Sequence, residues 1–104
     1  MNLSVVIPAY KNTDLLITNL KHNLPFLTDC EVIVINDYPP EPLTDIIHEK
    51  VSPHITVIEN EQNVGFGQAV NNGIKHSKNQ LIMLLNSDVK LTDDSYTHVF
   101  PYFR

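Results

Sequence analysis

The sequence predicts an α/β domain: an open, mostly parallel, doubly wound sheet of about four strands with helices on both faces. Three observations predict it. Four short apolar runs, LSVVIPAY (3–10), EVIVIND (31–37), ITVIEN (55–60) and LIMLLNSD (81–88), are rich in Val and Ile and continuous, as strands covered on both faces are. Helical patterns fall between the runs. The resulting βαβαβαβα order, with short connections, fits parallel strands joined by right-handed crossovers.

Each element has its own signals. After the first run, Asn12, Thr13 and Asp14 are suited to a helix N-cap, and Leu16, Leu20 and Leu24 recur on one face. After the second, Pro39 and Pro40 break the chain. Pro42 then enters a helix's first turn, with Leu43, Ile46, Ile47 and Val51 as its buried stripe. After the third, Phe66, Val70 and Ile74 form one apolar line, of which Val70 and Ile74 are expected to be buried. Beside it, the small residues Ala69, Gly73 and Ser77 let the helix lie close to the sheet. The fourth run, Leu81 to Leu85, reads as a strand buried on both faces. Beyond it, Thr92 caps a helix with Asp93 and Asp94 in its first turn, Tyr96, Val99 and Phe100 facing inward, and Pro101 at its end.

The length of 104 residues suits one domain, 1–104, with a core that needs no staples. Hydrophobic content of 42% and charged content of 18% are those of a globular chain. Cys30 is the sole cysteine, which excludes an internal disulfide and fits a reducing compartment. No run has the length of a membrane span, and the N-terminus lacks the form of a signal peptide, so a cytoplasmic domain is expected. The net charge is −5, from 12 acidic and 7 scattered basic residues, which argues against a nucleic-acid partner. For a phosphorylated ligand, an acidic chain of this kind needs a metal ion as neutraliser. A sheet this narrow leaves an open edge, which a homo-oligomer would cover.

In open α/β sheets, ligands bind beyond the carboxyl ends of the strands. Those ends read Pro8-Ala9-Tyr10, Asn36-Asp37-Tyr38, Glu59-Asn60 and Asn86-Ser87-Asp88. Taken singly, each more readily ends a strand or caps a turn. Gathered on one edge, they point to a site. In the loop NEQNVGFGQAVNNGI, Gly65 and Gly67 resemble half of a dinucleotide fingerprint, but Val70 stands where its third glycine belongs. A tight turn needing positive φ is the plainer reading. Asn63, Asn71 and Asn72 are harder to assign to structure, because Val70 and Ile74 beside them are expected to be buried. The five histidines show no metal-ligand spacing and read as ordinary surface or boundary residues.

Together, SVVIPAYKN, EVIVIND, NVGFGQAVNNGI and LIMLLNSDVKLTDDS resemble the N-terminal, nucleotide-sugar-binding half of a family 2 glycosyltransferase with the GT-A fold, a Rossmann-like architecture. The resemblance covers residues 3–95, and LNSDV is most similar to the rhamnosyltransferase-like branch that builds bacterial surface polysaccharides. It implies that Pro8, Ala9 and Tyr10 lie along the nucleoside and that Asp37 receives the N–H of a pyrimidine ring. Asn63 and Gly65 match a loop close to the donor, and Asn71 and Gly73 an Asn-x-Gly on the following helix. Asn86, Ser87 and Asp88 stand at the family's Asp-X-Asp motif. Asp88 would hold a divalent metal, Mg²⁺ or Mn²⁺, with the donor's phosphates, while Asn86 replaces the first acid and faces sugar or water. Tyr38-Pro39-Pro40 stands where the family has a small polar turn.

The resemblance implies a nucleoside-diphosphate sugar as donor and inverting transfer to a saccharide or lipid-linked acceptor. The general base, a carboxylate, and the acceptor site are expected beyond Arg104, so no catalytic residue is expected in this chain. The location implied is cytoplasmic, peripheral at the inner membrane face. Two other readings stand beside this one. The chain is a non-catalytic nucleotide-sugar-binding or interaction module, or it is a sugar-phosphate nucleotidyltransferase. The last needs a Gly-rich loop with a basic residue after the first strand, which Pro8 to Asn12 does not supply.

Overall fold

The computed structural model describes residues 2–92. In chain order the elements are β1 (Leu3–Ala9), α1 (Thr13–Asn23), a 3-10 turn (Leu24–Phe26), β2 (Glu31–Asn36), α2 (Thr44–Lys50), β3 (Thr56–Glu59), α3 (Phe66–His76) and β4 (Leu81–Leu84). The strands are all parallel, in the order β3-β2-β1-β4. β1 pairs with β2 from Ser4 opposite Glu31 to Ala9 opposite Asn36, and with β4 from Leu3 opposite Leu81 to Val6 opposite Leu84. The chain builds outward from β1 through β2 and β3, then returns by α3 to place β4 on the other side of β1. The strand order therefore reverses between β1 and β4. The helix expected after β4 falls on residues 93–100, outside the described residues.

β1 and β2 are buried on both faces because alternate side chains meet different helices. Leu3, Val5, Ile7, Val32 and Val34 join Leu16, Leu20, Leu43 and Ile47 in one core on the α1 and α2 side. Val6, Ile33 and Ile35 point the other way, onto Ala69 of α3. α3 lies close to the sheet: a Cβ on Gly73 would stand 2.6 Å from both Ile35 Cδ1 and Val6 Cγ1. The small-residue stripe thus makes the contact, and the apolar line of Phe66, Val70 and Ile74 flanks it. Phe66 is 59% exposed, and Ile74, expected to be buried, is 43% exposed, a correction to the sequence reading.

The fourth run also differs from expectation. β4 is an edge strand of the described sheet, and its α3-side face is only partly covered. Leu81 and Met83 pack on the α1-side core and Ile82 on the other, but Leu84 is 45% exposed. Leu85 is buried again, and its N–H donates to the Val6 carbonyl at 3.0 Å. That bond carries the β1 ladder one step past β4 and sets where residues 86–88 begin.

Candidate functional site

The ends of β1, β2 and β4 and the loop before α3 surround a hollow of about 560 Å³ at the reversal of strand order. Pro8, Ala9, Tyr10, Asp37, Asn63, Gly65, Asn86, Ser87 and Asp88 all line it. Asn71 does not: it is exposed on α3, outside the lining. The resemblance puts it near the donor through the Asn-x-Gly of this helix, and Ile74 beside it, expected to be buried, is exposed. Asn72 is the half-buried member of the pair, donating to Asn60 Oδ1 at 3.4 Å and accepting from Gln68 Nε2 at 3.1 Å. The sequence reading missed Asn12, Leu15, Phe66 and Ala69, which also line the hollow. Leu15 carried a signal, since it lies off the Leu16–Leu20 stripe. So did Phe66, an apolar residue placed between two glycines at a helix start.

Asp37 is 4% exposed and fully engaged by the protein. Its Oδ1 accepts from Asn60 Nδ2 (2.9 Å) and the Val64 N–H (2.8 Å). Its Oδ2 accepts from Asn63 Nδ2 (3.1 Å) and the Gly65 N–H (3.0 Å). A carboxylate offers about four lone-pair positions, and all four are used. Asp37 therefore acts first as the organiser of the loop into α3, where Gly65 adopts a φ of 87°. A base N–H approaching it would compete with these donors.

The end of β1 is strained. Lys11 and Asn12 are consecutive non-glycine residues in the left-handed region, with φ of 61° and 54°. Asn12 occupies the N-cap position of α1 without a side-chain capping bond and lines the hollow instead, unlike the capping expected of it. The turn leaves Tyr10 half exposed at the hollow, edge-on to Tyr38 with ring centroids 5.3 Å apart. Lys11 Nζ stands 5.3 Å from both ring centroids, a cation shared between two aromatic faces.

This fold, with its polar strand ends around one hollow, has relatives of known kind. The family model for Glycosyl transferase family 2 matches residues 4–104. The chain belongs to that family. Poly-beta-1,6-N-acetyl-D-glucosamine synthase of Staphylococcus epidermidis is 31% identical over 75 residues, covering 71% of this chain and 18% of that protein. The structure of S. aureus TarS 1-349 in complex with UDP-GlcNAc matches with a TM-score of 0.71 and 24% identity, over 99% of this chain and 31% of that one. Mannosyltransferase PcManGT from Pyrobaculum calidifontis, in complex with GDP-Man and Mn2+, matches with a TM-score of 0.78 and 16% identity, over 92% of this chain and 30% of that one. At these identities the solved structures show a shared α/β fold of the GT-A kind. The chain spans 18% of the length of the curated relative and about 30% of the solved chains.

The metal expected at Asn86, Ser87 and Asp88 can be set against the donors found there. Asn86 and Asp88 are exposed and Ser87 is half-buried, and all three line the hollow. The donors are oxygens from one carboxylate, one amide and one hydroxyl. The described residues contain no group of three or more His, Cys, Asp or Glu able to hold an ion by themselves. A hard cation that takes one protein carboxylate and completes its shell with water and phosphate fits this set, as Mg²⁺ and Mn²⁺ do. Among the described residues, no Lys, Arg or His lines the hollow, and Lys11 stands beside it over the Tyr10 and Tyr38 rings.

Glu59, the strand-end carboxylate of β3, is occupied elsewhere. Its Oε2 accepts from the Leu43 N–H (2.8 Å), the Thr44 N–H (2.9 Å) and Thr44 Oγ1 (2.9 Å). Its Oε1 accepts from Asn36 Nδ2 at 2.7 Å. It caps the start of α2, which begins at Thr44, after Pro42. Burial alone would raise its pKa, but the hydrogen bonds from Asn36, Thr44 and Leu43 outweigh burial and hold it below the usual value.

Proposed function

We propose that the domain is the donor-binding part of a glycosyltransferase. It takes a nucleoside-diphosphate sugar with a divalent metal, for inverting transfer to a saccharide or lipid-linked acceptor in surface polysaccharide synthesis. The observation that carries this reading is the single hollow uniting Pro8, Ala9 and Tyr10 with Asp88. Tyr10 supplies a half-exposed aromatic face for the nucleoside, and Pro8 and Ala9 the wall beneath it. Asp37, through Val64 and Gly65, shapes the loop on the donor's other flank. Asp88, with Asn86 and Ser87 beside it, would hold the metal, which when bound acts as a Lewis acid on the diphosphate leaving group. The ligands in the matched structures, UDP-GlcNAc in one and GDP-Man with Mn2+ in the other, support this class of donor. The LNSDV segment supports the rhamnosyltransferase-like branch, and a lipid-linked acceptor would place the domain at the cytoplasmic face of the inner membrane.

The test is a titration of the ¹⁵N-labelled chain with UDP-GlcNAc and Mg²⁺, followed by amide chemical shifts. The reading expects the shifts to concentrate at residues 9–10, 63–66 and 86–88. Shifts confined to the α2 side, or none at millimolar ligand, would refute it.

A further inference from the structure

α1 turns three polar side chains toward the loop after β4. Asn19 Nδ2 donates to the Ser87 carbonyl (2.8 Å) and Asn23 Nδ2 to the Val89 carbonyl (2.9 Å). Asn23 Oδ1 accepts from the Leu91 N–H (2.8 Å), and His22 Nε2 donates to the Leu91 carbonyl (2.7 Å). Within the loop, the Val89 N–H donates to the Asn86 carbonyl at 3.1 Å, closing a turn whose central residues are Ser87 and Asp88. The turn that presents Asp88 is thus sewn to α1 on both sides. Asp88 itself is exposed, and its carboxylate has no hydrogen-bond partner among the described residues. Its position is set by the backbone, and the backbone by α1.

Residues 19, 22 and 23 share one side of α1 through three- and four-residue spacing. Asn19 and Asn23 are each 2% exposed, beside Leu16 and Leu20, where burial alone favours apolar side chains. Asn19 Oδ1 is buried without a hydrogen-bond partner among the described residues, which costs stability. That cost makes sense if the amide serves the Ser87 carbonyl. We propose that Asn19, His22 and Asn23 are positioning residues, which fix the backbone of residues 87–91 so that the Asp88 carboxylate is held at the hollow for the metal of a nucleoside diphosphate complex. The proposal rests on the function given above and adds to it what holds the metal-binding turn in place.

The test is UDP affinity by calorimetry, with Mn²⁺ and with a chelator, in the full chain and its variants. Asn19→Leu and Asn23→Leu are expected to lose roughly tenfold of the Mn²⁺-dependent gain, as supporting residues of metal sites do, while affinity without metal stays within about twofold. His22→Ala, on the surface, should lose part of the gain. His22→Gln, whose amide can donate to the same carbonyl, should restore it. An unchanged gain in the folded variants, or an equal loss with and without metal, overturns the proposal. If both asparagine variants unfold, the His22 pair decides: an unaltered gain in His22→Ala overturns it. Wild-type protein binding UDP no more tightly with Mn²⁺ would instead sink the site reading itself, and this proposal with it.

Discussion

The Asp37 carboxylate accepts the Gly65 N–H at 3.0 Å, across 28 residues of sequence, and ties the end of β2 to the turn that starts α3. Asp37→Ala would leave two backbone N–H groups and two side-chain amides without their acceptor. The expected loss is at least about 3 kcal/mol, a Tm lower by at least about 12 °C in thermal denaturation. A Tm within about 4 °C of wild type would show that the loop does not depend on this carboxylate.

The three glycines separate by environment. Gly73→Ala puts a Cβ 2.6 Å from Ile35 Cδ1 and Val6 Cγ1, so overpacking should outweigh the gain in helix propensity. The expected net loss is about 1–2 kcal/mol, read from denaturant midpoints. Gly65→Ala has open space but a φ of +87°, and should cost about 1 kcal/mol through conformation alone. Gly67→Ala has neither obstacle and should stabilise by about 0.5–1 kcal/mol. Equal effects at all three positions would contradict the seating of α3.

Glu59 gives stability a pH dependence. Its pKa in the folded protein lies below the usual 4.5, so its contribution is fully present above that value and disappears as pH falls through the lowered one. Wild type should therefore melt above Glu59→Gln at about pH 7, and the gap should close as pH drops well below the ordinary glutamate range. A gap that persists undiminished into strong acid would contradict the capping role at Leu43 and Thr44.

The aromatic pair at the hollow makes a further prediction. Tyr10→Ala should weaken nucleoside diphosphate binding by about 1–3 kcal/mol, the usual worth of a base stacked on an aromatic ring. Tyr38→Phe should have little effect, since the Tyr10–Tyr38 contact is edge-on between rings and does not need the hydroxyl. Fluorescence titration of UDP against the two variants would check both, and equal losses would assign the effect to something other than stacking.

Much of this was legible in the sequence. The Val- and Ile-rich runs marked all four strands, and the ends of β1, β2 and β4 supply part of the lining of the hollow, because in a parallel sheet these ends share one edge. Glu59-Asn60 at the end of β3 stays outside the lining. What resisted was anything decided by which element sits beside which. The order β3-β2-β1-β4 puts β4 at an edge of the described sheet, and the LIMLL run gives no sign of that. The expected burial of Ile74 failed because Ala69 and Gly73 bring α3 down on its small face, which leaves Asn71 exposed outside the lining of the hollow. Asn19 and Asn23 were readable: at their spacing they fall on the side of Leu16 and Leu20, so two amides in an apolar stripe already asked for partners. The partners, carbonyls of residues 87 and 89, were not. Nor was the saturation of Asp37, which depends on a loop conformation set by tertiary contacts.

Asp88→Ala tests the central claim most directly, through the difference in UDP affinity with and without Mn²⁺. The account predicts that wild type binds UDP more tightly with Mn²⁺ and that Asp88→Ala binds it equally with or without the ion, at the wild-type metal-free affinity. A Mn²⁺ gain that survives in Asp88→Ala would contradict the account, because the metal would then owe nothing to the carboxylate that β4 carries to the hollow.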